Sequence, residues 1–327
     1  MRGKIFKGLL ASTMLFGMMT LSGCTSTEEQ VVIYSNADDE AVEVMKNALD
    51  NNGYEGKYLF QTFGTSELGG KLLAEGKDIE ADLVTMSSFY LDSAQDEKNM
   101  FINIDFNTRS LEQYPSYYTP ITSQEGAIIV NTEELKANNL SIPTCLKDLA
   151  SPKYKDMISV TDISSSSTAW LLIQALVSEY GDEGAKDVLK DIYKNAGAHI
   201  EDSGSGPIKK VRAGEVAVGF GLRHQAVRDK EDGLPIDYID PTEGNFSLTE
   251  SVAIVNKDND ERQKLAMEMA KCIIEKGRDE LLKTYPNPLY EGESSDAVNK
   301  SLYPKVFENK LTVKLLEKHQ KLSEECK

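Results

Sequence analysis

The sequence predicts an α/β fold divided between two domains. Two observations carry that prediction. The chain has 327 residues, more than one hydrophobic core usually organises. Three times in about sixty residues, between Val31 and Ser88, an apolar run ends in hydroxyl or amide residues and an amphipathic segment follows. A repeated strand, polar turn and helix is the mark of a parallel sheet. Hydrophobic residues make up 40% of the chain and charged residues 27%, enough to bury a core and keep a solvated surface.

The elements follow in order. Val31–Tyr34 is a short strand ending at Ser35-Asn36, and Asp38-Asp39 cap a helix with Val42, Met45 and Leu49 on one face. Lys57–Phe63 is the second strand. Gly64-Thr65-Ser66-Glu67 then opens a helix carrying Leu68, Leu72 and Leu73, which Gly76 stops. Ala81–Met86 is the third strand, followed by Ser87-Ser88. In parallel sheets ligands sit beyond the carboxyl ends of the strands, so Ser35, Asn36, Thr65, Ser66 and Ser88 are candidate binding residues. Residues 92–125 are polar, with Pro115 and Pro120, and are expected to connect. Gly126–Asn131 is a buried strand placed to carry the chain into a second lobe. Val216–Phe220 and Ile236–Ile239 are further strands. Ser251–Val255 returns the chain, and Glu261–Lys276 is a helix with Leu265, Met269, Cys272 and Ile273 inward.

The richest stretch lies in the second half. The apolar run Met157–Val160 ends in Thr161-Asp162. Ser164, Ser165, Ser166, Ser167 and Thr168 follow, and then Ala169–Val177 is almost continuously apolar up to Gly181. A strand, a hydroxyl-rich turn and a helix are expected there. The first turn of a helix offers unpaired N–H groups and the positive end of its dipole, and hydroxyls beside them complete a seat for a small anion. Asp202-Ser203-Gly204-Ser205-Gly206-Pro207 is a second such turn, with Lys209, Lys210 and Arg212 after it. It lacks the glycine-lysine-serine/threonine ending of a nucleotide loop. Arg223, just past a strand, is a candidate for two parallel bonds to a phosphate-like group.

Charge and the N-terminus bound the partners. The formal charge is −17, which disfavours nucleic acid and anionic lipid. Arg2, Lys4 and Lys7 form a basic start, Gly8–Leu21 is apolar but too short to span a bilayer, and Leu21-Ser22-Gly23-Cys24 matches a bacterial lipobox. A signal peptide over 1–23, lipidation at Cys24 and a polar tether over 24–30 are expected, placing the protein outside the cell membrane and anchored to it. Cys145, Cys272 and Cys326 have no metal-ligand spacing. His199, His224 and His319 are scattered and form no triad or metal motif, so neither catalysis nor a cofactor is expected.

Taken together, the segments YSNADDE (Tyr34–Glu40), ADLVTMSS (Ala81–Ser88), IIVNTEEL (Ile128–Leu135), LASPKYKDMISVTD (Leu149–Asp162), SGSGPIKKVRAGEVAVGF (Ser203–Phe220) and DPTEGNFSL (Asp240–Leu248) resemble the extracellular solute-binding proteins of ATP-binding-cassette importers. The closest branch contains iron(III), 2-aminoethylphosphonate and hexose-phosphate binders. The resemblance implies a two-lobed, type II periplasmic-binding-protein-like fold, with residues 31–121 and 248–327 in lobe 1 and 122–247 in lobe 2. It implies a monomer that captures a small anionic solute by lobe closure and hands it to permease subunits. The iron branch places adjacent tyrosines after the strand that here ends at Phe220; this chain has Gly221-Leu222-Arg223-His224, without the hard anionic oxygens iron(III) needs. A phosphonate or phosphate ester suits the hydroxyl-rich turns better. Glu243 is a candidate partner for a ligand amine, which favours 2-aminoethylphosphonate. A sugar phosphate, iron(III) or polyamine receptor of the same fold, and a phosphatase, are the alternatives.

Overall fold

A computed structural model describes residues 30–327 apart from residue 258; the leader and Cys24 lie outside the described residues. The chain opens with three strand–helix units: β1 (Val31–Ser35) and α1 (Asp39–Leu49), β2 (Tyr58–Thr62) and α2 (Thr65–Glu75), β3 (Leu83–Ser87) and α3 (Ser88–Lys98). Asp38 caps α1, its carboxylate accepting from Ala41 N at 3.2 Å, and Val42, Met45 and Leu49 are buried on its inner face. β1 pairs in parallel with both β2 and β3, so the turns after all three strands gather at one edge of the sheet.

Two long strands then join the lobes. β4 (Thr119–Asn131) pairs antiparallel over 119–125 with β9 (Asn245–Ile254) and over 126–130 with β7 (Val218–Leu222). β9 runs back the other way and pairs β3 over 250–254. Gly126 marks the switch of partner. A Cβ there would lie 2.5 Å from the Phe220 ring, so only glycine lets the strand pass.

The second lobe holds α4 (Thr132–Ala137), β5 (Ile158–Thr161), α5 (Thr168–Ala196), β6 (Ile200–Glu201), α6 (Gly206–Arg212), α7 (Arg223–Glu231) and β8 (Ile236–Ile239). One ten-stranded sheet threads both lobes in the order β2-β1-β3-β9-β4-β7-β5-β6. β8 lies beside β4, and β10 (Pro304–Lys305) beside β9. α8 (Asp260–Cys272), α9 (Arg278–Thr284) and α10 (Val313–Glu324) complete the chain. One buried apolar cluster continues from Leu68 and Met86 through Trp170 to Phe220; separate clusters fill the opposite sheet face around Ile33 and around Ile129.

The structure departs from the sequence reading in four places. The region expected to connect from residue 92 is helical to Lys98, because Asp92 and Ser93 are held in the interior: Asp92 accepts from Tyr117 Oη at 2.6 Å. The two helices expected either side of Gly181 form one element broken there, where φ is 69°. A helix, α7, begins at Arg223. The C-terminal segment packs against both lobes. Trp170 Nε1 donates to His319 Nδ1 at 2.7 Å and Tyr193 pairs with Ser323 at 2.6 Å, fixing α10 to α5. On the other side Val313 N donates to Ser93 Oγ at 3.3 Å. A buried indole N–H needs an acceptor, and α10 supplies it. Cys145, Cys272 and Cys326 are free thiols.

Candidate functional site

A cavity of about 450 Å³ opens between the lobes. Lobe 1 contributes the polar turns after β1 and β2, including Asn36, Asp38, Asp39, Gly64 and Thr65. Lobe 2 contributes Ser165–Thr168 at the start of α5, and the turn Asp202–Ser205. Gln124 of β4 and Glu250 of β9 form part of the lining from the crossover strands. The site therefore lies where the parallel sheet ends and the lobes meet, as the topology demands.

The hydroxyl cradle of lobe 2 is built locally. Asp162 organises it: its side chain accepts from Ser164 N at 2.8 Å, and its carbonyl accepts from Ser165 N and Ser166 N at 3.1 and 3.0 Å. Lys327 pairs with the same carboxylate at 2.6 Å. The Asp162 carboxyl is held below its usual range: burial opposes this, but Lys327 and the Ser164 donors outweigh it. Ser165 Oγ donates to Asp202 at 3.3 Å, and Ser203 and Ser205 hydroxyls lie 3.2 Å apart, so the two turns touch. Gly204 makes that approach possible. A Cβ on it would sit 2.3 Å from Thr168 Oγ1.

Nine of the residues expected from the sequence meet at this cavity: Asn36, Thr65, Ser165, Ser166, Ser167, Thr168, Ser203, Gly204 and Ser205. The other six do not line it. Ser35 is fully buried and accepts from Ala37 N and Thr85 Oγ1, so it braces the turn. Ser66 faces Tyr90 rather than the cavity. Ser88 is bonded to Thr249 O and Ser251 Oγ at 2.9 and 2.8 Å. Ser164 is exposed at the outside of the turn.

Arg223 and Glu243 are the larger corrections. Arg223 is 4% exposed and forms a two-pronged pair with Asp240 at 2.8 and 3.2 Å, while its remaining donors reach the carbonyls of Val298 and Lys300. The guanidinium is divided between Asp240 and the C-terminal loop, with no arm directed at the cavity. Glu243 is 1% exposed and accepts from Leu146 N, Lys147 N and Tyr180 Oη at 2.9–3.0 Å. It closes the turn before residues 146–150, far in role from a ligand carboxylate.

The sequence reading missed the charge of the cavity. Asp38, Asp39, Glu67, Asp202 and Glu250 line it, and among the described lining residues none is Lys, Arg or His. Positive potential comes only from backbone N–H groups and helix ends, above all at α5. Glu250 is the least expected member. Burial pushes its carboxyl up to about 7; the hydrogen bond donated by Ser87 and the nearby Asn36 amide partly offset this, and the charge of Asp38 reinforces it. No motif surrounds it in the sequence; only its place on a strand crossing between lobes reveals it.

A cleft between two α/β lobes joined by crossing strands, lined by the start of a helix and small polar side chains, defines a receptor that closes on a small solute. A family model described as a bacterial extracellular solute-binding protein matches residues 79–302, more than half of the chain, and the chain belongs to that family. It is 25% identical over 285 residues, 76% of each chain, to the spermidine/putrescine-binding periplasmic protein of Salmonella typhimurium. Solved structures share the fold. The periplasmic binding protein AfuA of Actinobacillus pleuropneumoniae, with exogenous fructose-6-phosphate bound, aligns with a TM-score of 0.68 at 22% identity, covering 91% of this chain and 97% of that one. A periplasmic thiamin binding protein aligns at 0.73 and 16% identity, covering 90% and 95%. The expected type II two-lobed fold is therefore present, and the protein is a solute-binding component of the importer class. Such a component works with permease subunits of an ATP-binding-cassette importer. Among the described residues no helix is long and apolar enough to cross a membrane.

Proposed function

We propose that the protein captures a small zwitterionic solute bearing a phosphonate or phosphate-ester group and an ammonium group, 2-aminoethylphosphonate being the simplest such compound. One observation carries this reading: the cavity joins a hydroxyl cradle at the start of α5, edged by Asp202, to the carboxyl groups of Asp38, Asp39, Glu67 and Glu250, and among the described lining residues no side-chain cation balances them. The anionic head sits at the start of α5 among the hydroxyls of Ser166, Ser167, Thr168, Ser203 and Ser205, while the N–H groups of Ser165 and Ser166 are taken by Asp162 O. The ammonium end faces Asp38, Asp39 and Glu250. A solute with negative charge alone would meet a wall of acidic side chains with no side-chain cation among the described lining residues, which costs it affinity. The reading keeps the aminophosphonate favoured from the sequence and moves the partner of its amine from Glu243 to the carboxyl groups that line the cavity.

Lobe closure follows from the same arrangement. The donor cradle belongs to lobe 2 and most of the acid to lobe 1, so a solute with both charges gains its full contacts only when the lobes approach. Cys24, in the lipobox, would hold the monomeric receptor to the membrane near its permease.

A second reading rests on the carboxylates themselves. They would also suit a polyamine, the ligand class in the name of the Salmonella relative. Thermal-shift titration of residues 25–327 with 2-aminoethylphosphonate, inorganic phosphate, glucose-6-phosphate and spermidine separates the two, because a ligand bound only by the folded state raises the melting temperature with its concentration. A shift with the aminophosphonate and none with spermidine supports the zwitterion. A shift with spermidine alone replaces it.

A further inference from the structure

Glu250 lies on β9, one of the two strands that pass between the lobes, with its carboxylate in the wall of the cavity. One oxygen, Oε1, accepts from Ser87 Oγ at 2.7 Å. The other, Oε2, is buried and has no hydrogen-bond partner among the described residues. The same is true of Asn36 Oδ1; the Asn36 amide nitrogen donates to Thr65 Oγ1 at 3.1 Å, and its second N–H lies near Glu250 without completing a hydrogen bond. Two buried acceptors without donors therefore line one cavity. Burying an acceptor unpaired is costly, and the group that would satisfy both is one with several N–H donors and no acceptor. An ammonium has that inventory.

We propose that Glu250 reads the ammonium end of the solute and exchanges its own proton for it on binding. The step balances simply. The neutral carboxyl gives its proton to the solvent, and the resulting carboxylate pairs with the ammonium, which keeps all its protons. No covalent bond to the solute forms or breaks. The inference rests on the zwitterion reading and deepens it by assigning the cation to one residue on a crossing strand. Because β9 belongs to the hinge between lobes, the same contact ties charge recognition to closure.

The surroundings support a proton on the empty site. β9 carries no other titratable side chain, and Ser87 of β3 and Gln124 of β4 are neutral. From the α1 end come Asp38, whose carboxyl burial also raises, and Asp39; from α2 comes Glu67, and from lobe 2 Asp202. Behind Asp38 stand Tyr285, bonded to it, and the ring of His224, which burial holds neutral. The nearest arginine of that group, Arg228, is paired with Glu40. Burial is the main cause that raises the Glu250 carboxyl to about 7, and the charge of Asp38 adds to it.

The test compares wild type with Glu250→Gln, using 2-aminoethylphosphonate, 2-hydroxyethylphosphonate and putrescine as probes. Calorimetric titration at pH 6.5 in buffers of different ionisation enthalpy counts the protons released. The phosphonate's own second ionisation, near pH 6 by analogy with phosphate esters, is common to both proteins and cancels in the comparison. We expect the amino compound to bind wild type at least tenfold more tightly than the hydroxy compound, and E250Q to erase that preference. Between pH 8 and pH 6 its Kd should weaken about tenfold more in wild type than in E250Q, as a group titrating near 7 requires. Equal binding of both phosphonates, unaffected by E250Q, overturns the role of Glu250 and leaves the phosphonate reading standing. Putrescine binding that depends on Glu250, with no phosphonate bound, does the reverse. If no amine binds, both fall. A carbon-13 titration of the Glu250 carboxyl in ligand-free protein, assigned by its loss in E250Q, gives an independent check. A midpoint in the ordinary carboxylate range overturns the exchange, since there would be no proton to give up.

Discussion

Arg223→Ala separates a structural cation from a ligand-binding one. Read from the sequence, this substitution should weaken solute binding by a kcal/mol or more. The structure gives a different expectation. Arg223 and Asp240 are almost fully buried and joined by two parallel hydrogen bonds. Removing the guanidinium leaves Asp240 with Asn245 Nδ2 and Leu302 N as donors, and leaves the carbonyls of Val298 and Lys300 without the donors they now have. Breaking a buried pair by deleting one partner costs about 3–5 kcal/mol. The surviving donors to Asp240 put this case near the lower end, about 3 kcal/mol. Urea unfolding followed by tryptophan fluorescence suits the assay, because Trp170 is the single tryptophan and is fully buried. We expect a lower midpoint at unchanged slope, and unchanged solute affinity at temperatures where the variant stays folded. A variant as stable as wild type that has lost solute binding would refute the reasoning and return Arg223 to the site.

Three further outcomes follow from the same contacts. Glu243→Gln keeps the size of the side chain but cannot accept from all three of its donors; it should cost about 1–3 kcal/mol of stability with solute affinity unchanged, measured by unfolding and calorimetry on one preparation. Gly204→Ala places a methyl against Thr168 Oγ1, so the two turns must part. Affinity should fall at least tenfold while the melting temperature drops by only a few degrees, and unchanged affinity would show that the turns do not act together. The third concerns pH. Burial lowers His319 to about 4 and His224 to about 3. Their contribution is complete above the unfolded value near 6.5 and is lost as pH falls toward those values. For His319 alone this amounts to about 3 kcal/mol by pH 4. His319→Gln, whose amide oxygen can still accept from Trp170, should flatten the acid side of a stability profile. Glu250 works in the opposite sense: its raised carboxyl stabilises below about 4.5 and that contribution is lost as pH rises through 7. The two effects are separated by repeating the profile in E250Q.

Much of the fold was legible because local signals agreed with one another. The first three strand–helix units carry their own caps and periodicity, as at Asp38 with Val42, Met45 and Leu49, and a parallel sheet forces their polar turns to one edge. The serine run and the Ser203–Ser205 turn were legible for the same reason. Each follows a strand, and hydroxyls before an apolar helix have few other uses. What failed was the fate of long charged side chains. Arg223 and Glu243 stand beside strands in the sequence, yet each points into an interior made by distant segments: residues 298–300 for Arg223, residues 146–147 and Tyr180 for Glu243.

The sequence by itself determined an α/β chain with hydroxyl-rich turns at strand ends, because propensity, capping and alternation act within a few residues. Tertiary structure alone decided which charges reach the cavity. Glu250 sits in an unremarked run, Thr249-Glu250-Ser251, and becomes a half-buried carboxyl between the lobes, with one oxygen wholly enclosed, only because β9 pairs with both β3 and β4 there. Whether a carboxyl is solvated or buried, and whether a cation stands near it, depends on segments more than a hundred residues apart. Solvation and Coulomb energies follow distance in space, and no local pattern encodes that distance.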